Sequence, residues 1–121
     1  MPSTHQKLGH LPARKSHTPL SAAIDVEVAM KVLEGRWKLV ILFQLFGGNV
    51  RRFSELERLV EGVSQKMLSQ QLRQLEAEGL VMRTVHAEVP PRVEYHLSDW
   101  GERLCPALDA LLLWLDERPA A

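Results

Sequence analysis

Residues 64–79 read SQKMLSQQLRQLEAEG and describe one short helix with two unequal faces. Leu68, Leu72 and Leu75 recur at i, i+4 and i+7, the spacing that lines side chains along one side of a helix. Gln65, Lys66, Ser69, Gln70 and Arg73 fall on the other side, with no acid among them. Ser64 suits the N-cap, because its hydroxyl can accept from an orphan amide of the first turn. Gly79 suits the left-handed residue just past the helix end. A cationic, amide-rich face matches what a duplex presents, since amide side chains pair with base edges and cations meet phosphates. Taken alone, the same face also describes a solvated surface helix, so the flanking residues decide.

Immediately upstream, Arg51, Arg52 and Phe53 read as a short extended link. Ser54 is placed to cap a helix from Glu55 to Leu59 or Val60, anchored by Phe53, Leu56, Leu59 and Val60. Gly62 makes the turn into Ser64. Two short helices joined through a glycine turn, the second with a polar outer face, form the helix-turn-helix pattern. Downstream the period changes to that of strands. Residues 80–86 (LVMRTVH) read as one strand and 92–97 (RVEYHL) as its return. Pro90 and Pro91 stiffen the tip and remove two amide donors, which a hairpin tip tolerates. A hairpin directly after a helix-turn-helix is a wing.

Farther out lie three more helical segments. Ser21 can cap a helix from about Ala22 to Leu33 whose apolar residues cover more than one stripe, so it must bury on two sides. Residues 37–46 are almost wholly apolar and form the central core helix, closed by Gly47 and Gly48. Ser98 caps the last helix, from Asp99 to about Glu117, with Asp99 and Glu102 favourable in its first turn. Pro106 falls inside and should kink or divide it. Leu111, Leu112, Leu113, Trp114 and Leu115 are consecutive, so they point all round the helix. Monomers rarely leave such a patch in water. The expected dimer interface is therefore Ile24 and Val28 from the first helix with Leu108, Leu111, Leu112, Trp114 and Leu115 from the last.

Among 121 residues, 45% are hydrophobic, enough for a folded domain with a real core. Net charge is zero, so the distribution matters. Residues 36–73 hold seven basic against three acidic side chains, and residues 93–121 hold two against six. A basic middle fits a polyanion partner. Residues 1–20 contain three prolines, three histidines and three basic residues with no acid, a flexible basic arm. His5, His10 and His17 fit no compact ligand set, so neither a metal nor a cofactor is expected. Cys105 is the only cysteine, which excludes an internal disulfide and fits a cytoplasmic setting. No apolar run approaches a membrane span, and the N-terminus lacks the apolar core of a signal peptide. No catalytic order of Ser, His and Asp and no phosphate-cradling glycine loop is present, so the chain does not read as an enzyme.

GRWKLVIL, RRFSELERLV, VSQKMLSQQLRQLEAEGLVMR, EVPPRVEYHLSDWG and CPALDALLLW occur in order with compatible spacing. Together they resemble the HxlR-type transcriptional regulators, a winged helix-turn-helix group related to MarR, over about residues 24–116. The resemblance implies homodimers that bind operator DNA and repress or activate nearby genes. It places Gln65, Lys66, Ser69, Gln70 and Arg73 on the recognition helix and Arg92 in the wing. Several members carry a cysteine-proline at the start of the first helix, and in some that thiol senses oxidants. Here Ile24 and Asp25 occupy those positions, so that mechanism does not carry over.

The expected fold is mainly α with a small β-hairpin: an arm over 1–20, then a winged helix-turn-helix DNA-binding domain over 21–118 that dimerises through its first and last helices. The expected function is sequence-specific binding of double-stranded DNA as a homodimeric transcriptional regulator. Two recognition helices would enter successive major grooves, roughly 34 Å apart. Arg51, Arg52 and the amides near Ser64 would hold phosphates. A small-molecule effector, if one acts, would change the spacing of the two helices. The alternative is a winged-helix module that binds proteins and no longer DNA, against which the acid-free face argues.

Overall fold

A computed structural model describes residues 15–120, in two compact units that divide between Val32 and Leu33. The first unit holds all but the last residue of helix α1 (Pro19–Leu33). It starts earlier than expected, because Thr18 rather than Ser21 is its cap. The Ser21 N–H donates to Thr18 Oγ1 at 3.1 Å, and the Thr18 N–H donates to Ser21 Oγ at 3.0 Å. Pro19 takes the first helical position, where its missing N–H costs nothing. The arm expected over 1–20 lies outside the described residues as far as residue 14.

The second unit runs α2 (Lys38–Leu45), β1 (Arg51–Arg52), α3 (Phe53–Leu59), α4 (Gln65–Ala77), β2 (Val81–His86), β3 (Arg92–Leu97), α5 (Asp99–Glu102) and α6 (Leu104–Asp116). Its sheet is antiparallel in the order β1-β3-β2. The hairpin register runs from Val81 opposite Leu97 to His86 opposite Arg92. Of the link expected at residues 51–53, the first two residues form a third strand, Arg51 opposite Tyr95 and Arg52 opposite Glu94, and Phe53 opens α3. Two residues are too few to show the alternation of a strand; what makes them one is the free edge of β3.

Leu68, Leu72 and Leu75 of α4 are buried together with Ile41, Leu42 and Leu45 of α2, Leu56 of α3 and Val60 just after it. Leu80, then Val81, Tyr95 and Leu97 of the sheet, with Leu108 of α6, complete the core. Fully burying a leucine stabilises by about 1.5–3 kcal/mol, so the α4 stripe alone contributes several kcal/mol.

Two further helix boundaries differ from the sequence reading. α3 starts at Phe53, and the Arg52 N–H donates to Glu55 Oε1 at 2.8 Å, so Ser54 lies inside the helix and caps nothing. The last helix divides at Arg103, one turn ahead of Pro106. The proline ring conflicts with the carbonyl four residues back, at Glu102, and Pro106 has no N–H to give it. Breaking there leaves Pro106 in the first turn of α6, where the loss is harmless.

Short α5 joins this scaffold. Ser98 Oγ accepts from the Gly101 N–H at 3.0 Å and donates to the Gly79 carbonyl at 2.6 Å, tying α5 to the end of α4. Glu102 accepts from the Gly47 and Gly48 N–H groups at 3.0 and 2.9 Å, tying α5 to the end of α2. Gly101 is buried against the Leu80 carbonyl oxygen, and a Cβ at this position would collide with it. Because the obstacle is backbone, the junction cannot yield by a rotamer change. Gly101→Ala should lower unfolding free energy by about 1–3 kcal/mol in urea melts, the usual cost of overpacking. An unchanged midpoint would show that α5 does not need this approach.

Candidate nucleic-acid interface

The outer face of α4 is built from its two ends. Ser64 is the N-cap: its Oγ accepts from the Met67 N–H at 3.1 Å. Gly79, with φ +80°, turns the chain into β2. Between them the leucine stripe faces inward, so Gln65, Lys66, Gln70 and Arg73 are exposed, with Ser64 beside them. Ser69 is half-buried and accepts from Arg73 Nη2 at 3.1 Å, which steadies that guanidinium along the helix. No carboxylate pairs with Lys66 or Arg73 among the described residues. The face therefore keeps its positive charge.

Gln71 was not singled out from the sequence. It is buried, with Oε1 lacking a hydrogen-bond partner, and close to the stem of Lys38 around Gly35. The signal existed: position 71 lies three residues after Leu68 and four before Leu75, on the leucine side. Lys38, counted from the sequence with the basic middle, is buried as well and does not contribute to an exposed charge.

The other expected phosphate contacts differ from one another. Arg52 is exposed beside the start of α3. Arg51 is half-buried and its Nε donates to the Gln44 carbonyl at 3.3 Å, so its guanidinium is turned toward the end of α2. Arg92, at the start of β3, lies 3.5 Å from Glu88 and 3.8 Å from Glu94. Its Nε is buried without a hydrogen-bond acceptor. Glu94 also receives His86 Nε2 at 2.6 Å, and this hydrogen bond, foremost, holds its carboxyl below the usual range despite some desolvation. Arg83 of β2 is 3.8 Å from Glu76. The wing is thus a zone of paired charges, whereas α4 presents unpaired cations. Between them runs an open cleft of about 530 Å³, lined by Arg52, Ser54 and Gln65 on one side and Glu88, Pro90 and Arg92 on the other.

The apolar surplus is equally uneven. Ile24 and Val28 of α1 are exposed, as are Leu111, Leu112, Trp114 (70%) and Leu115 of α6. Leu108, expected with them, is only 6% exposed: it faces the core, so the surplus on α6 starts one turn later. Cys105, beside it, is half-buried with Sγ 3.8 Å from Asp109 Oδ2. Burial and then the Asp109 carboxylate push its thiol pKa upward. No group of three or more His, Cys, Asp or Glu side chains among the described residues could hold a metal.

Comparison with known proteins agrees with the fold. The profile of the HxlR-like helix-turn-helix family matches residues 32–120. The chain is 50% identical over 91 residues to the HTH-type transcriptional regulator YtcD of Bacillus subtilis, covering 75% of this chain and 71% of the relative. It is 47% identical over 90 residues to an HTH-type transcriptional regulator of Methanothermobacter thermautotrophicus, covering 74% and 68%. Among solved structures, a MarR-family regulator from Enterococcus faecalis superposes with a TM-score of 0.76 at 35% identity, covering 88% of this chain and 92% of that one. The redox regulator HypR in its reduced form superposes with a TM-score of 0.69 at 38% identity, covering 74% and 88%. The chain belongs to the HxlR-like helix-turn-helix family and is a winged helix-turn-helix transcriptional regulator.

Proposed function

We propose that this regulator binds operator DNA as a homodimer in the cytoplasm, with α4 as the recognition helix. The observation that carries the reading is the outer face of α4: exposed, capped, free of acid and backed by buried leucines. Gln65 and Gln70 are the base readers, because an amide donates and accepts to adenine at once. Lys66, Arg73 and Arg52 meet phosphates, with Ser64 and Ser69 supporting from the helix surface. Arg51, turned to Gln44, holds the wing's edge strand in place and contributes at longer range. An effector would work by altering the distance between the two copies of α4. No helix among the described residues is long and apolar enough to cross a membrane.

The dimer reading rests on the exposed apolar side chains of α1 and α6. Each helix would bury Ile24 and Val28, or Leu111, Leu112, Trp114 and Leu115, against a second copy. A buried tryptophan at about 25 cal/mol per Å² makes Trp114 the natural anchor.

A thiol switch is not part of this proposal. The solved neighbours include HypR in reduced and oxidized forms and YodB of Bacillus subtilis after diamide treatment. Counting back from Trp37, the resemblance puts Ile24 and Asp25 where some relatives carry a cysteine-proline. A thiol with a raised pKa is a poor nucleophile at neutral pH, since the thiolate is the reactive form.

The DNA reading is tested by Lys66→Ala with Arg73→Ala. Duplex affinity should fall strongly with folding intact, and each lost phosphate contact should flatten the slope of log K against log salt by about 0.9. A double variant that binds like the parent would remove α4 as the reader. For the dimer, Trp114→Glu examined by analytical ultracentrifugation should shift the protein to monomer and abolish operator binding. A parent that sediments as a monomer at micromolar concentration would refute the two-fold arrangement. For the thiol, alkylation of Cys105 by iodoacetamide at neutral pH should be slower than that of free cysteine, and Cys105→Ser should respond to peroxide as the parent does. Fast alkylation, or a peroxide response lost in the variant, would reverse this reading.

A further inference from the structure

The cations assigned to DNA keep different company. Lys66, Arg73 and Arg52 have no carboxylate within ion-pair range among the described residues. Arg92 has two: its Nη2 lies 3.5 Å from Glu88 Oε1 and its Nε 3.8 Å from Glu94 Oε2. Glu94 uses its other oxygen for His86. The Glu88 carboxylate has no other ion pair among the described residues, sits half-exposed at the wing tip and lines the same cleft as Gln65 and Arg92.

We propose that Glu88 is an internal substitute for a DNA phosphate, a latch that holds the wing arginine until a duplex backbone displaces it. The inference rests on the DNA-binding reading above and adds to it a positioning residue that acts through Arg92. Three features of the pair support it. Its distance exceeds the 2.7–2.9 Å of a strong charge-assisted hydrogen bond, so it is loose. It is partly exposed, so water and salt weaken it, and exposed pairs are readily exchanged. In the latched arrangement the Arg92 Nε–H is buried without an acceptor, so the guanidinium is incompletely satisfied where it lies. A phosphate offers anionic oxygens to the whole fork at once, which two carboxylates held by separate backbone positions do not.

The latch has an ionic consequence. When Arg92 leaves Glu88 for a phosphate, the duplex releases a counterion, but the freed carboxylate takes one up. The wing contact is then nearly silent in the salt dependence and adds little affinity. A neutral residue at position 88 removes the uptake and frees Arg92 beforehand.

The test is Glu88→Gln in the full chain, with binding to random-sequence duplex DNA followed by fluorescence anisotropy across a salt series. Affinity should rise about two- to fivefold, the worth of one exposed ion pair. The slope of log K against log salt should steepen by up to about one unit. In an Arg92→Gln background the same substitution should change neither quantity. Glu88→Gln without effect overturns the latch. So does an equal gain in the Arg92→Gln background, which would mean that Glu88 merely repels DNA. A parent that binds through Lys66 and Arg73 while Glu88→Gln is silent refutes the latch alone. A parent that does not bind duplex DNA refutes the DNA reading and the latch together.

Discussion

The burial of Leu68, Leu72 and Leu75 is the constraint on which the rest depends. A helix whose three leucines are sealed against α2, α3 and the sheet cannot roll. Rotating it by one residue position, about 100°, would draw those leucines into water and push a charged or amide side chain into the core. The ends are fixed as well, by the Ser64 hydroxyl at one and the left-handed Gly79 at the other, so the helix cannot slide along its axis. The direction in which Lys66 and Arg73 point is therefore a by-product of hydrophobic packing. Function here needs no special geometry of its own, only that the side opposite the leucines be left clear.

Clear means clear of acid. The chain is neutral overall, yet its charges are sorted by pairing more than by number. Arg83 and Arg92 stand beside carboxylates, Arg51 is turned to a backbone carbonyl, and Lys38 is buried. Lys66 and Arg73 on α4, with Arg52 just ahead of it, stay exposed and without a carboxylate in ion-pair range among the described residues. Net charge and pI carry none of this information, because they weigh a buried or paired cation the same as a free one.

The sequence made the strongly periodic parts legible. The α4 stripe, its cap and its terminal glycine stand where spacing put them, and the return strand 92–97 has the expected bounds. Contacts set by partners distant in sequence were not legible. β1 is two residues long and exists through its pairing with β3. The caps at Thr18 and Arg52 displaced the serines, Ser21 and Ser54, that local propensity favours, because each helix starts earlier than its apolar pattern. The break at Arg103 precedes the proline that causes it, since a proline acts four residues back. Leu108 and Leu111 look alike in sequence, and only the packing of α6 assigns one to the core and the other to the surface. In the candidate site, the α4 residues were readable from one helix. The pairing of Arg92 needed the hairpin register, which brings Glu88, Glu94 and His86 around it.

The order β1-β3-β2 leaves the long strand β2 at the margin of the sheet. A margin of this kind displays unpaired backbone donors and acceptors, and strands of other chains can add to it. β2 carries Met82 and Val85 exposed, a composition that would invite such growth into aggregates. Arg83 stands between them, anchored toward Glu76, and a charge in the middle of an apolar margin disfavours stacking of further strands. The Arg83–Glu76 pair is loose and partly exposed, so it contributes little to the stability of the folded chain. A charge held at this margin favours solubility over the addition of a fourth strand.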